Sequence, residues 1–114
     1  MSFVLKTALP IIAHGPLQTL LDATKSPEEV QSKLLFDYLR RNRVSLFGLE
    51  HNFDGIKTID AYRKQVPIRD YEGFRPYIDR MLNGQHPILT REKPQVYAST
   101  SGTTGKAKLL PVTE

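Results

Sequence analysis

The chain has 114 residues, of which 39% are hydrophobic and 25% charged, the make-up of a soluble globular protein of one domain at most. It has no cysteine, which excludes disulfides, thiolate zinc sites and cysteine nucleophiles and fits a reducing compartment. The net charge of +4 is modest, and apart from Arg40-Arg41-Asn42-Arg43 the basic residues are mixed with acids, so no stripe suited to nucleic acid is present.

The N-terminal stretch MSFVLKTALPIIAHGP is apolar only in short pieces broken by Pro10 and Pro16. It is too short to span a bilayer and lacks a cleavage signal, so no membrane is expected as a partner and the expected location is cytoplasmic. Leu9 to Ala23 reads as helical. A stronger helix starts at Ser26-Pro27-Glu28-Glu29, where serine at the N-cap, proline at the first helical position and glutamate three residues on form a capping box. Val30, Leu34 and Tyr38 then recur every four residues beside Leu35 and Leu39, which predicts one apolar face and a helix running to about Asn42. The arginines at its end complement the helix dipole.

Val44 to Phe53 (VSLFGLEHNF) reads as an irregular, packed connection, and Thr58 to Gln65 as a short helix stopped by Pro67. Asp70 is placed to cap a helix over EGFRPYIDRML that ends at the left-handed candidate Asn83-Gly84, with Pro76 either kinking it or dividing it in two. Tyr71, Phe74 and Tyr77 have the spacing of core-packing residues. Asp54, Asp60, Asp70, Glu72 and Asp79 read as caps and helix-surface charges. The histidines His14, His51 and His86 lie far apart without metal-ligand spacing, and read as structural or surface residues. Gln95 to Ser99 has strand propensity, a polar loop follows, and Leu109 to Val112 is apolar again; Thr113-Glu114 reads as the start of a further helix. The expected fold class is therefore α+β, a single unit over 1–114 that is helical over 1–93 and strand–loop–strand over 94–114.

The loop between the strands, Thr100 to Lys108 (TSGTTGKAK), concentrates glycine, hydroxyl and lysine. Gly102 and Gly105 free the backbone to bend, Ser101, Thr103 and Thr104 add hydroxyl donors, and Lys106 and Lys108 add charge. Such loops form concave nests of amides that bind phosphate oxygens, but a polar hairpin turn has the same composition. A Walker A loop is excluded by counting: Thr100 stands where its first glycine belongs, and Ala107 stands where its magnesium-binding hydroxyl belongs.

The order of residues is more specific than their composition. Tyr97-x-x-Thr100-Ser101-Gly102-Thr103-Thr104-Gly105-Lys106-Ala107-Lys108 resembles, at every defined position, the phosphate-binding signature of the adenylate-forming superfamily. A narrower resemblance covers roughly residues 27 to 114. Asn42-Arg43, Phe47-Gly48 and His51, then Val66-Pro67-Ile68-Arg69-Asp70-Tyr71-Glu72, Pro76-Tyr77-Ile78, Asn83-Gly84 and Lys108-Leu109-Leu110-Pro111 are similar to the auxin-responsive Gretchen Hagen family of acyl acid–amido synthetases. The loop here is one residue shorter before its last lysine than in plant members of that family, and it has the length of the wider superfamily.

This resemblance implies an ATP-dependent ligase, with Mg2+ in the complete enzyme and an α/β adenylate-forming fold in the full family. A carboxylic acid substrate would be activated as acyl-AMP and passed to an amine acceptor such as an amino acid. Ser101, Gly102, Thr103, Thr104 and Gly105 would cradle the ATP phosphates, with Lys106 or Lys108 as the electrostatic partner. No residue of the chain is assigned as nucleophile, general base or metal ligand. The adenine pocket, acidic magnesium ligand, acyl pocket and mobile C-terminal domain would lie in the missing remainder of the ligase. The expectation is an N-terminal piece that is inactive or nearly so alone. An acyl-CoA ligase fragment and a small helical interaction module with a polar hairpin are the competing expectations.

Overall fold

A computed structural model of the chain describes residues 15–101 and 107–114. It is mainly helical with a two-stranded antiparallel sheet near the C-terminus, the expected α+β arrangement. Two compact units meet within a helix, between Leu35 and Phe36. In the first, residues 15–23 form α1, and residues 9–14 of the expected helix lie outside the described residues. Asp22 on α1 accepts from Lys25 at 2.6 Å and from Gln18 at 3.2 Å. Helix α2 (Pro27–Asn42) begins directly after Ser26 and ends where the sequence predicts. Its apolar face is buried on one edge of the expected stripe: Leu39 is buried and Leu35 half-buried, whereas Val30, Leu34 and Tyr38 are exposed. The four-residue periodicity marked an apolar stripe without saying which edge of it meets a core.

The second unit is organised by a segment that the sequence reading took as irregular. Leu46–Glu50 is a helix, α3, and Phe53–Gly55 a single 3-10 turn. Five residues are too few to show a helical period, and besides the local cap Ser45 two of the partners come from a distant part of the chain. The Gly48 amide donates to Ser45 Oγ at 3.0 Å and the Leu49 amide to the Ser45 carbonyl at 2.9 Å. The Leu46 and Phe47 amides donate to the carbonyls of Pro87 and Ile88 at 3.2 and 3.0 Å. All four amides of the first turn are thereby satisfied, and the chain after residue 82 is tied back onto α3. Asn42 completes the junction: its carbonyl accepts from the Ser45 amide and hydroxyl, and its Oδ1 accepts from the Arg91 amide at 2.9 Å.

Helix α5 (Tyr71–Leu82) starts at the predicted cap, Asp70 Oδ1 accepting from Gly73 N, and helix α4 (Ile59–Gln65) starts one residue later than expected because Thr58 is its cap, Oγ1 accepting from Ala61 N. Pro76 deletes one hydrogen bond inside α5, yet the helix is continuous from Tyr71 to Leu82. It stops at Gly84 (φ 80°), where the Gly84 amide bonds the Met81 carbonyl and the Gln85 amide bonds the Arg80 carbonyl. That pair is a Schellman motif, which requires the left-handed residue supplied by glycine. The core of this unit is Leu39, Phe47, Ile56, Ile78, Met81 and Ile88.

Phe47 is also the hub of an aromatic cluster. His51 stacks on it at 4.1 Å, and Phe53, Phe74 and Tyr77 surround it at 5.3–5.9 Å. Phe74 and Tyr77 thus pack as expected. His51 Nδ1 lies 2.9 Å from the Phe47 carbonyl, which can only accept, so Nδ1 carries the proton. Nε2 is then the acceptor for Arg69 Nη2 at 3.0 Å. Arg69 Nη1 donates to Tyr77 Oη at 3.1 Å, and Tyr77 Oη donates to Glu50 Oε2 at 2.6 Å. The segment entering α5 is therefore fixed to α3 through side chains.

Strands β1 (Val96–Ser99) and β2 (Leu109–Val112) pair in the register Val96↔Val112 to Ser99↔Leu109. Among the described residues, no helix is long and apolar enough to cross a membrane. The packing of α3 yields a test. A Cβ at Gly48 would collide with the Asn42 carbonyl oxygen, which is backbone and cannot swing aside. Gly48→Ala is expected to lower the urea unfolding midpoint, with a loss of about 2 kcal/mol. An unchanged midpoint would show that the α2–α3 junction is looser than described.

Candidate functional site

The hairpin carries the loop, and its stem is closed by two hydrogen bonds. The Thr100 amide donates to the Lys108 carbonyl at 3.0 Å, and the Lys108 amide donates to Thr100 Oγ1 at 3.1 Å. Threonine suits this place because its β-branched side chain fits a strand end while its hydroxyl accepts the cross-strand amide. At the other end of the hairpin the Gln95 amide bonds the Val112 carbonyl at 2.9 Å. The stem thus closes between Thr100 and Lys108, the residues that flank 101–107 in sequence.

Of the predicted phosphate ligands, Ser101 and Lys108 are described, and both are exposed. Gly102, Thr103, Thr104, Gly105 and Lys106 lie outside the described residues. The Lys108 main chain is not available to a ligand, because Thr100 takes up both its amide and its carbonyl. Its side chain is: Nζ lies 5.6 Å from the centre of the Tyr71 ring. An exposed cation–π contact of this kind stabilises by about 0.5–1 kcal/mol, a hold that a phosphate oxygen can outcompete.

Tyr71 joins the hairpin to α5. Its hydroxyl accepts from the Leu109 amide at 2.8 Å and donates to the Leu109 carbonyl at 3.2 Å. Arg75, one turn along the helix, also lies over the ring, at 5.0 Å. It forms a two-pronged pair with Glu72, 2.7 Å for each bond, and that hydrogen bonding raises the guanidinium above its ordinary pKa. The loop stem is therefore flanked by Lys108 and a fully charged Arg75. Sequence reasoning placed Tyr71 in the core; it is half-buried and also binds main chain. A tyrosine at the first position of a capped helix, next to an arginine that anchors the segment, is the signal that could have shown this.

The remaining candidates have structural roles. Asp70 is a helix cap, Glu72 pairs with Arg75, Asp60 with Arg63 at 3.6 Å and Asp54 with Arg43 at 3.9 Å. A separate cleft of about 360 Å³ is rimmed by Arg40, Arg43, Lys57 and Asp54 over Leu39 and Ile56. Two of its arginines are partly occupied, Arg40 by Asp37 and Arg43 by the Arg40 carbonyl and Asp54. Among the described residues, no three acidic or histidine side chains stand close enough to hold a metal ion.

The stem geometry is open to measurement. Thr100→Val keeps the shape of the side chain and removes the acceptor for the Lys108 amide. Exchange of that amide should accelerate about fivefold, corresponding to about 1 kcal/mol, while amides of α5 keep their protection. Equal exchange rates in the two proteins would mean that the stem is not closed by Thr100.

Residues 16–114 match the family described as "GH3 family N-terminal domain". Among curated proteins, the chain is 32% identical over 100 residues to indole-3-acetic acid-amido synthetase GH3.2 of Arabidopsis thaliana, covering 86% of this chain and 18% of that one. It is 32% identical over 97 residues to indole-3-acetic acid-amido synthetase GH3.8 of Oryza sativa subsp. indica, covering 83% and 16%. It is 34% identical over 99 residues to indole-3-acetic acid-amido synthetase GH3.15 of Arabidopsis thaliana, covering 85% and 16%. The chain spans 16–18% of the length of these relatives. A match that runs from α1 through the hairpin, with relatives all named as amido synthetases, shows that this chain belongs to the GH3 family, as its N-terminal domain.

Proposed function

We propose that this chain forms the phosphate-holding N-terminal part of an ATP-dependent ligase that joins a carboxylic acid to an amine. The supporting observation is the closed stem at Thr100 and Lys108, which fixes both ends of a loop carrying a complete adenylate-forming signature. In this reading a carboxylate oxygen attacks the α-phosphorus of ATP and pyrophosphate leaves, giving acyl-AMP. The amine nitrogen then attacks the acyl carbon, AMP leaves, and an amide forms. Ser101, Gly102, Thr103, Thr104 and Gly105 orient the β- and γ-phosphates. Lys106 and Lys108 offset charge that grows on the departing pyrophosphate. Mg2+ would neutralise further phosphate charge, and no residue of this chain is assigned to hold it.

The amine acceptor is favoured over coenzyme A because the relatives are named amido synthetases. A helical module with a free polar hairpin is disfavoured by the Tyr71 tie between hairpin and helix. With only a few loop contacts, the chain by itself is expected to bind ATP weakly, at about millimolar concentration, and to catalyse nothing. A synthetase polypeptide carrying this segment should catalyse ATP–pyrophosphate exchange that depends on an added carboxylic acid. Replacing Ser101 and Thr103 together by alanine should slow exchange on the order of a hundredfold. Absence of exchange across a broad panel of acids, with no effect of the double substitution, would refute the proposal.

A further inference from the structure

Leu109 is the first residue of β2 and directly follows the loop. Its amide and carbonyl are both bonded to one atom, the Tyr71 hydroxyl, rather than to β1. The hydroxyl therefore occupies the edge position at which a neighbouring strand would otherwise pair. A single group that both accepts from and donates to one residue fixes that residue in position and in orientation. Tyr71 is itself immobilised from two sides: Asp70 caps the helix that begins at Tyr71, and Arg69 is bonded to His51 and Tyr77. The same ring lies beneath the Lys108 ammonium, with Arg75 as a second cation over it.

We infer that Tyr71 is a positioning residue for the phosphate loop: its hydroxyl sets the start of β2, and its ring holds the Lys108 ammonium ready beside the loop. This rests on the phosphate-loop reading above. Tyr71 touches no phosphate and carries no proton in the reaction. It acts through Leu109 and Lys108, converting the rigidity of the α3–α5 cluster into a fixed origin for the loop.

The test is a pyrophosphate titration of the 114-residue chain at low salt, with Tyr71→Phe, Lys108→Ala and the double variant. Tyr71→Phe keeps the ring and removes the hydroxyl, and is expected to weaken binding about fivefold. The two effects should be coupled, so that Lys108→Ala costs affinity in the parent and little in the Tyr71→Phe background. A purely structural role would give additive losses, and additivity or unchanged affinity in Tyr71→Phe would overturn the inference alone. In the parent chain, bound pyrophosphate should also slow amide exchange at Leu109, because the coupling is reciprocal. Unchanged Leu109 exchange on binding would equally overturn it, even if a substituted hairpin failed to fold. A parent chain that binds pyrophosphate no better than sulfate, with Ser101→Ala and Thr103→Ala without effect, would remove the phosphate-loop reading and this inference together.

Discussion

One tyrosine hydroxyl, bonded to both main-chain groups of Leu109, is the constraint on which the position of the C-terminal hairpin rests. A two-stranded hairpin is marginal by itself in water, and it gains permanence by attachment to something already ordered. Here the ordered body is the cluster around Phe47, and the attachment passes through three consecutive residues. Arg69 reaches into the cluster, Asp70 starts the helix, and Tyr71 holds the strand. The order arginine, aspartate, tyrosine follows from that sequence of tasks.

The loop divides into a stem and a tip with different physical duties. At the stem, the main-chain groups of Thr100, Lys108 and Leu109 are taken up within the protein, so they define shape and offer nothing to a ligand. In the proposed reaction, the hydroxyls and amides of the residues between Thr100 and Lys108 would be the donors toward phosphate. Preorganised donors act strongly because they need no rearrangement as charge develops, and a stem closed in advance is how a short loop achieves this. In the proposed reaction the domain supplies positioning, and the remaining contacts to acid and amine come from the rest of a longer synthetase polypeptide.

Much of this was legible in the sequence because local rules governed it. Helix α4, the cap Asp70, the end of α5 at Asn83-Gly84 and the hairpin strands each depend on a few neighbouring residues, and each was predicted. Helix α3 was missed because five residues show no helical period and two of its four first-turn amides are satisfied from Pro87 and Ile88, some forty residues away in sequence. The apolar stripe of α2 was found, but which edge of it is buried, that of Leu35 and Leu39, was not, because periodicity marks a stripe without its partner. The dual bond of Tyr71 was missed for the same reason, since an aromatic at helical spacing carries no mark of what its hydroxyl meets. At the loop, glycine, threonine and lysine serve a soluble turn and a phosphate cradle equally well, and the phosphate reading rests on the likeness of their order to the adenylate-forming signature.

The account turns on where an anion settles. Amide chemical-shift mapping of the chain with pyrophosphate, against sulfate at matched ionic strength, addresses this most directly. The account predicts pyrophosphate-specific shifts confined to residues 101–107 and the Lys108 side chain, with the α2 arginines undisturbed. Shifts centred instead on the cleft rimmed by Arg40, Arg43 and Lys57, or identical for the two anions, would contradict it.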